Sequence, residues 1–332
     1  MDKALHIRPF EATDREYDAV ASIAAHFPAD QLGDFEYQRG AELRAFDESF
    51  EGSGHALKRY VAETDGVIVG YAQLFHIPWL REPGRYWVAL RMHPAHQRRG
   101  IGSRLYQHML AELRRLDAAA AWCEVHETMP AIAMCAEQLG FHELFRSWPF
   151  YLDTRNFDPA RFERATERAV AHGITITTLA REQERDPDWL PKLYDLHTTL
   201  TRDIPLPGHP HPAPGLEWLR RYAAAAPLAL PEAFFIAKDG ECYVGESFLH
   251  RAEGAPDELN QKATGVLHEY RGAGIALALK LETIVYARQQ GYTRIWTGVE
   301  SNNPSMLAIN RKLGFVRQPG LILYEKELRK RS

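Results

Sequence analysis

The tripeptide Leu139-Gly140-Phe141 returns as Leu313-Gly314-Phe315, an offset of 174 residues in a chain of 332, and the same offset aligns much of what precedes it. Laying residues 97–141 on 271–315 without a gap also matches Gly100, Ile101, Leu105, Arg114, Trp122, Val125 and Pro130 with identical residues. Further upstream, Tyr60–Gly66 falls on Phe234–Gly240, and Val69-Gly70 meets Val244-Gly245 after a one-residue slip. A self-similarity of this length means that each half repeats one fold, and it splits the chain into two units. The reading places an N-terminal domain at 1–155, a connecting helix at 156–173 (Asp158 as N-cap, Pro159 at N1, Gly173 at its end) and a C-terminal domain at 174–332.

Within each half the punctuation predicts the same order of elements. An Asp-Gly turn joins the strands Arg59–Ala62 and Val67–Phe75, or Phe234–Ala237 and Glu241–Leu249, as a hairpin. An extended run, Tyr86–Met92 or Ala263–Leu267, leads into a glycine turn and an amphipathic helix, Ser103–Leu116 or Leu277–Gln290. A strand through Trp122 or Trp296 follows, then a helix ended by the glycine of Leu-Gly-Phe, then a last strand, Phe145–Leu152 or Leu321–Lys326. The fold class is therefore α/β with a mixed sheet.

Strand, short glycine turn, helix is an arrangement that turns unpaired backbone N–H groups and the positive end of a helix toward an anion such as a phosphate. The turns are Gln97-Arg98-Arg99-Gly100-Ile101-Gly102-Ser103 and Arg271-Gly272-Ala273-Gly274-Ile275-Ala276. Neither reads Gly-x-Gly-x-x-Gly, and no Gly-x-x-x-x-Gly-Lys-Ser/Thr occurs, which argues against a dinucleotide or P-loop site. Forty Lys and Arg against forty-four Asp and Glu give a net charge of −4, without the basic excess that favours nucleic acid or anionic membrane. With no long apolar run or signal-like start, the expectation is a cytoplasmic protein. Cys123, Cys135 and Cys242 are too few and too scattered for a disulfide framework or zinc site and are expected in the core; no metal is expected, at His209 and His211 included.

Both turns resemble the acetyl-coenzyme A loop of the GNAT N-acetyltransferases, Gln/Arg-x-x-Gly-x-Gly/Ala after a strand, and both halves carry the Gly-Phe ending of that family's next motif. The tandem layout is similar to that of mycothiol synthase-like proteins. The resemblance implies two GNAT folds, each a mixed, mostly antiparallel twisted sheet flanked by helices, and acetyl-CoA as the donor. It implies pyrophosphate contacts from the two turns and pantetheine contacts from Met92 and His93 or Val266 and Leu267, with N–H groups near Val266 or Leu267 as an oxyanion site. The family's Asn is Asn303 in the second half but Met129 in the first, and its Tyr position holds Asn310 and Ala136. The second half is thus expected to carry the chemistry and the first to be degenerate.

The implied activity is direct acetyl transfer, through a tetrahedral intermediate, to a primary amine of a small molecule, by a monomer or homodimer. The alternative is a non-catalytic acyl-CoA-binding or regulatory protein, favoured by the absent Tyr. Glu246, Glu258 and Glu300 are the candidate bases and Tyr324 the candidate acid. Asp203 and Pro205, in the proline-rich stretch 201–212, are expected near the acceptor.

Overall fold

A computed structural model describes residues 5–33, 35–51, 53–76, 84–162, 167–169, 171–204 and 215–329. The chain divides into two compact units. Unit one joins Met1–Ser147 to the chain's end, Pro319–Ser332; unit two is built from Trp148–Leu206 and Pro210–Gln318.

In unit one the strands are β1 (Leu5–Pro9), β2 (Leu57–Thr64), β3 (Val67–His76), β4 (Arg85–Met92), β5 (Ala120–His126), the first half of β6 (His142–Asp153) and β13 (Leu321–Glu327). Their order is β1-β2-β3-β4-β5-β13-β6, antiparallel except for β4 beside β5. Helices α1 (Asp14–Ala24) and α2 (Gly40–Glu48) share a core with Val61 and Tyr71. Helices α3 (Ile101–Arg115) and α4 (Pro130–Gln138) pack with Ala62, Ala72 and Leu74, the opposite sheet face, because successive strand side chains alternate.

Unit two repeats this plan with β7 (Ile174–Thr178), β8 (Ala229–Asp239), β9 (Cys242–Ala252), β10 (Ala255–Val266), β11 (Arg294–Glu300), β12 (Val316–Arg317) and the second half of β6, in the order β6-β11-β10-β9-β8-β7 with β12 on β6. Here α5 (Leu179–Arg185), α6 (Trp189–Arg202) and α7 (Leu216–Arg220), which runs into a π turn at Arg221–Ala225, cover the face holding Phe234, Ile236 and Phe248. The other face lies under α8 (Ile275–Gln289) and α9 (Pro304–Leu313).

The expected elements are present, but the last strands are exchanged. The reading above gives each half its own final strand; instead β13 lies between β5 and β6 in unit one, while Trp148–Asp153 sits beside β11 in unit two. Tyr324, buried on β13, is therefore a unit-one core residue, bonded to Glu137 at 3.3 Å, with its phenol pushed up to about 12 chiefly by burial. The linker is described only in part: Pro159–Phe162 is a 3-10 turn, and residues 163–166 and 170 lie outside the described residues. Cys135 and Cys242 are exposed rather than in the core.

Candidate active site

In both units the strand before the glycine turn outlasts its parallel partner. β4 meets β5 only at Arg85–Trp87 and then runs on to Met92; β10 meets β11 only at Glu258–Asn260 and runs on to Val266. The flanks of 88–92 and 261–266 that face this split have no strand partner among the described residues, so their peptide groups remain for an extended amide-bearing ligand. The Leu267 N–H is not among them, since it donates to the Val244 carbonyl at 2.9 Å, as His93 does to Val69 at 2.9 Å. Strand alternation turns the Val266 N–H to the opposite edge, into the split, and narrows the expected oxyanion donor to Val266.

The turns then reproduce one conformation. Arg98 and Gly100 sit at φ 59° and 77°, Gly272 and Gly274 at 84° and 85°. Two left-handed residues separated by one turn successive N–H groups inward as an anion-binding nest at the helix start. Glycine adopts this freely in unit two, whereas Arg98 pays about 1–3 kcal/mol for it, strain of the kind retained at ligand sites. Neither Gly100 nor Gly274 supplies a side-chain cap, so the first-turn N–H groups of α3 and α8 are left to a ligand. The opening side chain of each turn folds back alike: Gln97 Nε2 donates to the Met92 carbonyl at 3.2 Å, Arg271 Nε to that of Val266 at 3.1 Å. Turn, helix start and split fit the diphosphate and amide arm of coenzyme A in both units.

The units diverge on the opposite sheet face. Register places Tyr71 and Arg91 in unit one where unit two has Glu246 and Gly265. In unit one this spot is saturated: the Arg91 guanidinium grips both Glu36 oxygens at 2.8 and 2.6 Å, and the Tyr71 hydroxyl donates to the same carboxylate at 2.9 Å. In unit two Glu246 is 1% exposed; its Oε1 lies 2.7 Å from His197 Nδ1 on α6, and its Oε2 is buried without a partner. Burial alone would push the His197 imidazole down, but the Glu246 charge and hydrogen bond outweigh it and hold the pKa above the usual value. His250, two residues beyond Phe248 on the same face, is pushed down to about 4 by burial and by the Lys262 charge, and its Nε2 is also unpartnered. Tyr222, with its ring 4.7 Å from that of His250, is raised by burial and by Glu246. Sequence reasoning missed His197, although it stands on the buried face of α6 among Leu193, Leu196 and Leu200, a polar residue where the helical period calls for an apolar one.

The remaining candidates separate by their partners. Glu258 is occupied by Arg294 at 2.7 Å and by the Trp296 indole at 2.6 Å, and Glu300 closes β11, half-buried. Asn303 caps α9, accepting from the Met306 N–H at 3.2 Å, while Asn310 is fully buried with neither amide atom bonded. Asp203 ends α6 and pairs with Arg271, tying that helix to the glycine turn. Pro205, His209 and His211 lie outside the described residues. Among the described residues no cluster of His, Cys, Asp and Glu suits a metal, and no helix is long and apolar enough to cross a membrane.

Comparison with known proteins bears on the same two turns. The model of the acetyltransferase (GNAT) family matches residues 22–141 and again 192–315. Curated relatives include mycothiol acetyltransferases of Saccharomonospora viridis, 26% identical over 80% of this chain and 82% of that protein, and of Rhodococcus jostii, 28% identical over 80% and 82%. Among solved structures, a GCN5-related N-acetyltransferase from Sphaerobacter thermophilus superposes with a TM-score of 0.65 at 19% identity, covering 98% of this chain and 96% of its own. A tandem GNAT protein from the clavulanic acid biosynthesis pathway gives 0.62 at 19%, covering 99% and 100%. With both halves matched by one family model and each built around the same split and turn, the chain belongs to the acetyltransferase (GNAT) family, as a tandem pair of its folds.

Proposed function

We propose that unit two transfers an acetyl group from acetyl-CoA to a primary amine of a small molecule, while unit one keeps the coenzyme turn without an acceptor site. The observation that carries this is the contrast at one sheet position: a buried carboxylate oxygen free to accept a proton at Glu246, against the closed Tyr71–Glu36–Arg91 network. The names of the mycothiol acetyltransferase relatives support a small-molecule acceptor.

Acetyl-CoA supplies an activated thioester; the chain supplies the rest. An aliphatic amine with a pKa of about 10.4 is nearly all ammonium at neutral pH, so it needs an acceptor for its proton. Glu246 draws the ammonium by charge and takes its first proton at Oε2, while His197 holds Oε1 and fixes the carboxylate; the freed amine then forms the N–C bond, the C–S bond breaks, and the second nitrogen proton leaves with the departing thiolate as free thiol. The Val266 N–H, turned into the split, polarises the thioester carbonyl.

Gly274→Glu and Gly100→Glu test the assignment, because each forces a non-glycine residue into the left-handed region and sets a carboxylate where a phosphate should sit. Gly274→Glu is expected to raise the acetyl-CoA KM about 10- to 100-fold through lost anion binding, and Gly100→Glu to leave turnover within about twofold. Equal losses from both would contradict a single catalytic unit.

A further inference from the structure

Three residues of α6, each three positions from the next, meet three different parts of unit two. His197 bonds Glu246 on β9 at 2.7 Å, and Asp203, the C-terminal cap of the helix, pairs with Arg271 of the glycine turn. Between them Leu200, 8% exposed, lies against Gly265, on the stretch of β10 that borders the split. Register makes Gly265 the cross-strand neighbour of Glu246. The helix therefore touches the base, the split strand and the coenzyme turn at once.

At Gly265 that contact leaves no space for a side chain. A Cβ there would stand 2.9 and 3.2 Å from the two Leu200 δ-carbons and 3.3 Å from the Leu200 Cβ, inside the roughly 3.5–4.0 Å at which carbons pack. Gly265 is not among the residues with positive φ, so close approach and not backbone conformation calls for glycine. Leu200 belongs to the core that holds Leu193, Leu196 and Phe248, which leaves it little room to swing aside, so a methyl at 265 would push the helix itself. Unit one has Arg91 at the matching register, with its guanidinium on Glu36, and its sheet offers no such bare backbone.

We propose that Gly265 and Leu200 are a positioning pair: the bare backbone at 265 seats α6 on the split strand, and that seat holds His197 on Glu246 Oε1 so that Oε2 is left for the amine. The effect on turnover rests on the reading of Glu246 as the base, whereas the effect on the His197–Glu246 pair does not. Neither residue touches a reacting atom. Relieving the contact at 265 moves α6 by about half an ångström toward ordinary carbon–carbon separation, which loosens the His197 bond and lets the carboxylate turn. Where 1 Å of misplacement costs about 10²-fold in rate, half of it costs on the order of tenfold.

Gly265→Ala tests it, alone and together with Leu200→Ala, which takes away the two δ-carbons that the new methyl meets. The single variant is expected to lower kcat about tenfold with the acetyl-CoA KM within about threefold. Its His197 titration by NMR should move down, because the Glu246 hydrogen bond that holds it up against burial is loosened. The double variant is expected to recover kcat to within about threefold of the parent, and the His197 titration with it, while melting below the parent because the core has lost a leucine. A glycine kept for stability alone would instead give activity that follows the melting temperature. An unmoved His197 titration in folded Gly265→Ala, or a double variant that recovers neither measurement, would overturn the seat. If Gly265→Ala does not fold, recovery of the fold and of the His197 titration in the double variant decides for the seat, and continued failure decides against it. A His197 titration that moves while kcat keeps its parental value would support the seat and overturn Glu246 as the base.

Discussion

Removal of residues 319–332 should unfold the N-terminal unit. β13 brings Ile322 and Tyr324 into unit one's core and buries Leu323 on its other face, all 5% exposed or less. At about 1.5–3 kcal/mol for each large buried side chain, their loss amounts to roughly 5–9 kcal/mol. Glu325 pairs with Arg85 on β4, both side chains 10% exposed, so truncation also breaks a buried ion pair from one side, at a further cost of about 3–5 kcal/mol. Lys326 bonds the Tyr106 hydroxyl at 3.1 Å and the Leu139 carbonyl, and those partners are lost as well. The sum, of order 10 kcal/mol, matches the whole stability of an ordinary domain. Limited proteolysis read by mass spectrometry should therefore find new cuts within 5–147, far in sequence from the deletion. Cuts confined to 174–318 would show that the strand stabilises the half it follows in the chain.

That exchange marks where the sequence stops being informative. Glycine turns, the Asp-Gly hairpins and the helix ends at Gly140 and Gly314 are local: each needs a positive φ at a named residue, and all were legible from spacing alone. The apolar run Leu321–Tyr324, in contrast, says only that a strand there is buried. It reads the same whichever fifth strand lies alongside, so the pattern carried no word of the partner, and Tyr324 was assigned to the wrong unit's chemistry.

The site was legible in the same uneven way. The two turns needed only the motif and its glycines. The three glutamates could not be ranked, because what separates Glu258 from Glu246 is a neighbour about 36 residues away: the parallel register sets Glu258 beside Arg294, which neutralises it. His197 left the signal available to pattern reasoning, a polar residue on a helix face that should be apolar, and Asn310 was noticed only as a missing tyrosine. Burial is what turns such an irregularity into chemistry, since the same histidine on a solvated face would meet no buried carboxylate and keep an ordinary pKa.

Glu246→Gln should cost about 10²- to 10⁴-fold in kcat, the range expected for loss of a general base, and erase the acidic limb of the pH–rate profile. The isosteric amide keeps the packing around Oε1 and Oε2 but can neither hold the amine's proton nor attract an ammonium. The same substitution reports on His197. Its raised pKa comes from Glu246 winning against burial, so with the charge gone burial alone remains and the imidazole should fall below about 6.5, its unperturbed value. NMR titration of His197 in parent and variant measures this directly. The sign carries through to stability: a histidine with a raised folded pKa contributes fully below its unfolded pKa, and that contribution fades as pH rises through the folded value. The parent should thus lose a part of its thermal stability above neutral pH that Glu246→Gln never had. Parallel melting curves for the two proteins across that window, or an unmoved His197 titration, would mean that the pair is not charged as the geometry requires, and the base would have to be sought at Glu300.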